Sequence, residues 1–158
     1  KTTQTLLPTH DISLHINCDA PAPVEVSVRD NRAATKLPGI SDGAGNSDAA
    51  LFYGLGEING IRIGGFALRH GRPEADGIQQ TLITRSLAAP TWQLPSSPLV
   101  SNAPALYSWG TGVAAGPVAA RHHGFPMSLL PIIGPSNALP ITSEIPLDGS
   151  VTFDMYYL

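Results

Sequence analysis

Cysteine is almost absent from this sequence, since Cys18 is the only one among 158 residues. An intrachain disulfide is therefore excluded for this chain. Three interpretations of Cys18 stay open: a buried core thiol, a cysteine whose partner lay in a lost N-terminal segment, and a catalytic thiol, which is the weakest of the three. His15 lies three positions earlier on a predicted strand, so the two side chains point to opposite faces.

Charge is also scarce, because charged residues make up 13% of the chain, the net charge is −3, and no basic run occurs. Nucleic-acid binding needs a basic surface, so we exclude that class of function. No apolar stretch approaches the roughly 18 residues of a membrane-spanning helix. The chain starts at Lys1 without an initiator Met or a signal peptide, which is typical of a processed product.

Glycine and proline are abundant, with 16 and 15 residues. Both residue types disfavour helix interiors, by about 1 and 3 kcal/mol respectively. Disorder is disfavoured as well, since 42% of the residues are hydrophobic. The composition therefore predicts a single all-β domain over residues 1–158, built from short strands joined by long Gly/Pro-rich loops.

The most regular pattern lies in the last ten residues, 149–158, where apolar and polar residues alternate. A period of two predicts a half-buried β-strand. Because no residue follows Leu158 in this chain, we expect the outer edge of this strand to be open. An open apolar edge favours pairing with a strand from a partner. The side chains that share its apolar face are Val151, Phe153, Met155 and Tyr157.

Alternation elsewhere predicts further strands. His10–Cys18 carries Ile12, Leu14 and Ile16 on one face, and a turn at residues 19–23 should join it to the valine strand 24–29 in a hairpin. Shorter or interrupted patterns predict strands at 61–68, 81–86, 106–109 and 127–133, the last broken at Pro131. Four prolines make 90–104 a loop or an edge segment, and 110–124 has no clear pattern.

Three aromatic residues fall in this loop-rich middle, namely Trp92, Tyr107 and Trp109. If exposed, they would be able to stack on a sugar ring, as a lectin-like adhesin requires. Packing in the core is the other interpretation.

The sequence contains no catalytic or metal-binding pattern that we recognise. His122 and His123 are adjacent, so on a strand they would face opposite ways and would not share a metal ion. The loop 42–48 does not match a calcium loop. Counted from Asp42, the third and twelfth positions would need oxygen ligands, but they are Ala44 and Tyr53. Glutamates are scattered, and no Gly-x-Ser-x-Gly motif is present. We therefore expect no enzyme activity, no metal and no cofactor.

Three segments together resemble a known family. They are Ile16–Pro21 followed by a valine strand and Asp30–Ala33, then Tyr53–Gly56 followed by Gly60–Phe66, and the final strand with Tyr157 as the penultimate residue. In this order and spacing the chain resembles the pilin-like subunits of chaperone–usher fimbriae of Gram-negative bacteria. It looks most like the β-type fimbrial subunits, a family long classified as a domain of unknown function.

The resemblance implies an incomplete immunoglobulin-like sandwich without its seventh strand, which leaves a groove beside the last strand. It implies that a periplasmic chaperone fills the groove first, and that the N-terminal extension of a neighbouring subunit replaces it at the outer-membrane usher. Family members also carry a leading strand with a cysteine that pairs with the one at Cys18. The groove residues implied here are Val151, Phe153, Met155, Tyr157, Ile12, Leu14 and Ile16.

Two features depart from the family pattern. This chain lacks the N-terminal donor extension and its cysteine, and it has Ile145 where pilins usually have glycine, with Gly149 the nearest one. We expect a structural subunit of an extracellular fimbria that contributes to adhesion. The alternative is a tip adhesin or lectin-like module with a closed sandwich, which would bind a host receptor or glycan through Trp92, Tyr107 or Trp109.

Overall fold

The computed structural model describes residues 3–135, 137, 139, 144 and 146–158, so Ile145 lies outside the described residues. Strands account for 52% of the chain and helix for 5%, and the sheets are antiparallel and form no closed barrel. The predicted all-β, sandwich-like fold is confirmed. Two short 3₁₀ helices, Ala33–Thr35 and Ala49–Leu51, lie in the long connection after the valine strand.

Fourteen strands follow one another along the described residues. They are β1 (Thr5–Leu6), β2 (His10–Ala22), β3 (Val24–Asp30), β4 (Tyr53–Gly54), β5 (Glu57–Ile58), β6 (Ile61–Arg62), β7 (Gly64–His70), β8 (Glu74–Ala75), β9 (Ile78–Gln79), β10 (Thr81–Ser86), β11 (Ala89–Gln93), β12 (Ala105–Gly110), β13 (Ala120–Ile133) and β14 (Val151–Tyr157).

Two sheets form the sandwich. In the seven-stranded sheet, β13 pairs with β7 and β8 on one side and with β1 and β2 on the other, while β4 and β9 extend it beyond β7 and β8. The five-stranded sheet has the order β11-β10-β12-β3-β14. β5 and β6 form a separate two-stranded hairpin.

The core lies between these two sheets. Val24, Val26 and Val28 of β3 point into it from the five-stranded sheet and are fully buried. Phe66 of β7 and Phe125 of β13 meet them from the seven-stranded sheet. Burying each such side chain contributes about 1.5–3 kcal/mol, which fixes which face of each strand points inward.

The predicted hairpin of β2 and β3 is wrong. β2 pairs with β13 and β3 pairs with β12 and β14, so the two strands belong to different sheets. Pro23 alone separates them, whereas the tightest common hairpins need a two-residue loop. The chain therefore crosses from one sheet to the other at this residue. The predicted turn at 19–23 is instead strand as far as Ala22, and it includes Pro21, which an edge strand tolerates.

β13 runs unbroken through Pro126 and Pro131, although the sequence predicts an interruption at Pro131. Proline fits a strand only where no neighbouring strand needs its missing N–H. The Pro126 carbonyl accepts from Gly71, between β7 and β8, and the Pro131 carbonyl accepts from Leu7, between β1 and β2. Because the N and O atoms of one residue in an antiparallel ladder point to the same side, both prolines face a gap between consecutive partner strands.

Candidate strand-acceptor site

β14 is an edge strand. Among the described residues it pairs only with β3, without a break from Val151 opposite Asp30 to Tyr157 opposite Val24. Its other side has no strand partner within this part of the chain. This arrangement agrees with the open edge predicted from the sequence.

The backbone of β14 points alternately to β3 and to the open edge. Leu158 N donates to Pro23 O at 3.1 Å, and Asn31 N donates to Ser150 O at 2.9 Å. Even-numbered residues of this strand therefore bond β3, because hydrogen-bonded and non-hydrogen-bonded pairs alternate in an antiparallel ladder. The N–H and C=O groups directed at the open edge belong to Val151, Phe153, Met155 and Tyr157.

The same four residues point their side chains toward the sandwich interior, since their partners on β3 include the core valines. Val151 and Phe153 are half-buried and pack against the core. Met155 and Tyr157 are 36% and 62% exposed. The interior side of β14 is thus covered at its beginning and open at its end.

β2 forms the facing wall in the other sheet. It pairs only with β13 among the described residues, and its inward side chains include Ile12, Leu14 and Ile16. Ile16 is buried, whereas Ile12 and Leu14 are half-buried against the same core. The seven predicted groove residues are thus distributed over the two edge strands, four on β14 and three on β2.

The open part of β14 is its end, which lies beside the end of β2. At the start of β14, by contrast, a Cβ on Gly149 would lie 2.9 Å from Cε1 of Phe66 on β7, which is separated from β2 by β13. At the end of β14, Leu158 bonds Pro23, directly after the last residue of β2. The close approach at Gly149 leaves no room for a side chain there.

The N-terminal strand does not fill this opening. Thr5 and Leu6 of β1 pair with Ile133 and Ile132 of β13, in line with β2. β1 therefore extends the wall of the seven-stranded sheet and makes no ladder with β14. The described residues of the N-terminus do not complete the five-stranded sheet.

The two edges differ in their protection against pairing. Both strands carry outward polar side chains, such as Asp11 and His15 on β2 and Asp154 on β14. β2 also contains Pro21, a residue that commonly blocks an edge, whereas β14 contains neither proline nor lysine. β14 is therefore the edge better suited to accept a strand.

The three aromatic residues considered as sugar contacts are not fully exposed, as stacking on a sugar ring would require. Tyr107 and Trp109 lie on β12 with their side chains buried in the core, as in the second of the two interpretations that the sequence left open. Both are on the inward face of a strand, and the space between the sheets requires large side chains. Trp92 on β11 is half-buried, and the guanidinium carbon of Arg85 lies 5.4 Å from its ring centroid.

Cys18 lies on β2, and the adjacent histidines His122 and His123 lie on the neighbouring strand β13. Cys18 is a free, half-buried thiol that packs against the core. His122 is exposed and bonds Asn17 at 2.8 Å, while His123 is buried, so the pair does face opposite ways. Within residues 3–135, 137, 139, 144 and 146–158, no three His, Cys, Asp or Glu side chains are grouped to hold a metal ion.

Asp42 organises the loop that the sequence analysis weighed as a calcium site. Its buried carboxylate accepts from the amides of Ala44 and Asn46 and from Asn46 Nδ2 at 2.7 Å, and Arg69 lies 3.8 Å away. Burial by itself raises the pKa of Asp42. Hydrogen bonds from Asn46 and Ala44, with the charge of Arg69, outweigh it, so this pKa lies below its ordinary value.

Replacing Asp42 with Asn should lower the free energy of unfolding at neutral pH by about 1.5–3 kcal/mol, the value of hydrogen bonds to a charged group. A carboxyl whose folded-state pKa is lowered stabilises the fold above its ordinary pKa of 3.8, and the contribution is lost as pH falls through the lower folded value. Urea unfolding of both proteins from pH 7 to acid checks this. The difference in free energy of unfolding between the two proteins should shrink as the pH falls below 3.8. A difference that stays constant down to acid pH would contradict this account of Asp42. The exposed Asp19→Asn is the control.

One buried ion pair was missed from the sequence. Glu25 is 6% exposed and receives two bonds from Arg85, Nε to Oε2 at 3.1 Å and Nη2 to Oε1 at 2.9 Å. A glutamate inside a valine strand was the available signal, but its partner lies 60 positions away.

No helix in the described part of the chain has the length and apolar character to cross a membrane.

Comparison with known proteins identifies no relative. No family model, no curated protein and no solved structure matches this chain.

Proposed function

We propose that this chain is a structural subunit of a bacterial surface fimbria, assembled by donor-strand exchange and contributing to adhesion. The observation that carries the proposal is the edge of β14, which has no strand partner among the described residues and has inward-facing apolar side chains exposed beside it. Its partners would be a strand of a neighbouring subunit, and before that a periplasmic chaperone and the outer-membrane usher. The protein would pass through the periplasm to the cell surface.

The energetics support a strand as the ligand. An added strand would pair with the N–H and C=O groups of Val151, Phe153, Met155 and Tyr157, and it would cover the exposed parts of their side chains. Fully burying one such side chain contributes about 1.5–3 kcal/mol. Because folded domains have only about 5–15 kcal/mol of net stability, an added strand would contribute a substantial share.

A peptide that spans β14 and alternates apolar with polar residues should raise the melting temperature. At a hundredfold excess over Kd it stabilises by about 2.7 kcal/mol. For a domain of this size that corresponds to roughly 5–10 °C. Differential scanning calorimetry measures the shift. A peptide of the same composition, with its apolar residues in adjacent pairs, should give a much smaller shift because it cannot present one apolar face.

Two neighbouring substitutions map the site. Met155→Asn places a polar group on the inward face and should remove more than half of the peptide-induced shift, because the amide would be buried without a partner. Tyr156→Asn is the matched control on the outward face and should leave the shift unchanged. Equal shifts for both peptides, or equal loss in both variants, would overturn the proposal.

A further inference from the structure

We propose a second binding site, for a small aromatic amine, on the outer face of the five-stranded sheet. A cavity of about 490 Å³ lies there, on the side of the sheet turned away from the sandwich core. Its apolar walls include Leu87, Pro104, Leu106 and Tyr156, and its polar groups include Glu25 and Asp154. This site shares β14 with the strand-acceptor edge but lies on the outer face of that strand, and it does not depend on the proposed function.

The strand registers place the cavity on the outer face. Tyr156 lies opposite Glu25 across β14 and β3, and Asp154 lies opposite Ser27, so all four side chains point away from the core valines. Leu106 pairs with Arg85 on the same outer face. Tyr156 and Tyr157 are neighbours in sequence but belong to different surfaces, the first to this cavity and the second to the opening of the sandwich.

The cavity has the size and composition of a small-molecule site. Such sites commonly span about 300–1,000 Å³ and combine apolar walls with a few fixed polar groups. Leu87 and Tyr156 are 69% and 48% exposed, so large apolar surfaces at the cavity lack cover from the described residues. An aromatic ring would bury these two side chains against Leu106.

The polar end of the cavity is built from a carboxylate that cannot move freely. Glu25 is held by both bonds from Arg85, and that guanidinium is itself placed over Trp92. Each carboxylate oxygen keeps a second lone pair, so Glu25 remains able to accept a hydrogen bond. Asp154 adds a second carboxylate, which bonds Arg29 at 3.2 Å.

Hydrogen bonding at the lining selects the ligand's polar group. Glu25 and Asp154 present carboxylate oxygens to the cavity, while Arg85 and Arg29, which pair with them, do not line it. An ammonium group would donate to the remaining lone pairs of these oxygens, whereas a ligand carboxylate only accepts hydrogen bonds. An aromatic ring joined to an ammonium group therefore fits both ends of the cavity.

Titration of the ¹⁵N-labelled chain with three matched probes tests this site. They are 2-phenylethylamine, 2-phenylethanol and 3-phenylpropanoate, which share a ring and differ in charge. We expect saturable shifts at the amides of Glu25, Ser27 and Tyr156, with the amine binding at least roughly tenfold more tightly than the acid. Equal affinity for the three probes, shifts centred elsewhere, or no saturable binding would overturn the proposal.

Variants at exposed positions separate the two ends of the cavity. Tyr156→Ala should weaken the amine and the alcohol by a similar factor, because it removes an apolar wall. Asp154→Asn should weaken the amine alone and reduce its preference over the alcohol. Tyr157→Ala is the matched control and should leave all three affinities unchanged. An effect of Tyr157→Ala equal to that of Tyr156→Ala would contradict the assigned surface.

Discussion

Replacing Trp109 with Ala is expected to lower the free energy of unfolding by about 3–5 kcal/mol, the usual cost of emptying a buried aromatic site. Trp109 is 1% exposed and lies between the two sheets. Its ring centroid is 5.5 Å from that of Phe125, and its Nε1 donates to His123 Nδ1 at 2.8 Å. The substitution would therefore remove packing and a hydrogen bond that joins β12 to β13.

The hydrogen bond can be separated from the packing. Trp109 donates to His123 Nδ1, so the other ring nitrogen carries the proton and donates to Ala22 O at 2.9 Å. Trp109→Phe keeps most of the apolar volume but leaves His123 Nδ1 without a donor, which costs about 1–3 kcal/mol. Urea unfolding measures both variants. If Trp109→Ala changes stability by less than about 1 kcal/mol, as an exposed ligand contact would, the buried placement is wrong.

The second large effect is expected at the ion pair of Glu25 and Arg85. Glu25→Leu removes one partner and leaves a mostly buried guanidinium without its carboxylate, because the Arg85 side chain is 17% exposed. Breaking a buried pair in this way costs about 3–5 kcal/mol, and the lower end applies here because Arg85 keeps some contact with water. The double variant Glu25→Leu with Arg85→Met should recover most of that loss.

A control comes from the same strand. Arg29 and Asp154 form an exposed pair at 3.2 Å, so Arg29→Met should cost less than about 1 kcal/mol. Urea unfolding of the single and double variants gives the coupling energy of the buried pair. A double variant that is as unstable as the sum of its single changes would show that the pair is not coupled.

Strand positions followed from the sequence where alternation was regular. The inward faces of β2, β3 and β14 could be read from a period of two, because apolar and polar residues alternate along these strands. The sheet to which each strand belongs could not be read in this way. The single residue Pro23 sends β3 to the other sheet, and only the partners of β2 and β3, which lie far along the chain, reveal it.

The middle of the chain was harder to predict, because its strands combine glycine and proline with few regular alternations. β13 begins at Ala120, inside the segment without a clear pattern, and continues through Pro126 and Pro131. Proline counts against a strand unless its missing N–H faces a gap, and that depends on where the partner strands begin and end. The sequence left open whether Trp109 is exposed or packed in the core, because its burial depends on β12 lying between β3 and β10.

The candidate site was partly predictable. Alternation identified the inward side chains of β14, from Val151 to Tyr157, and the resemblance to fimbrial subunits suggested β2 as their partner surface. The sequence could not show which backbone groups of β14 point to the open edge, because that depends on the register of β14 with β3. The outer cavity was not predicted, because Tyr156, Leu87 and Pro104 are brought together only by the arrangement of the strands and loops.

Amide hydrogen exchange along β14, followed by NMR, tests the open edge most directly. Amides that bond β3, those of Thr152, Asp154 and Tyr156, should be protected. Amides directed at the edge, those of Val151, Phe153, Met155 and Tyr157, should exchange at rates similar to those of loop residues, and they should become protected when the alternating peptide is added. Equal protection of both sets in the chain alone, or no change on adding the peptide, would contradict a strand-accepting edge.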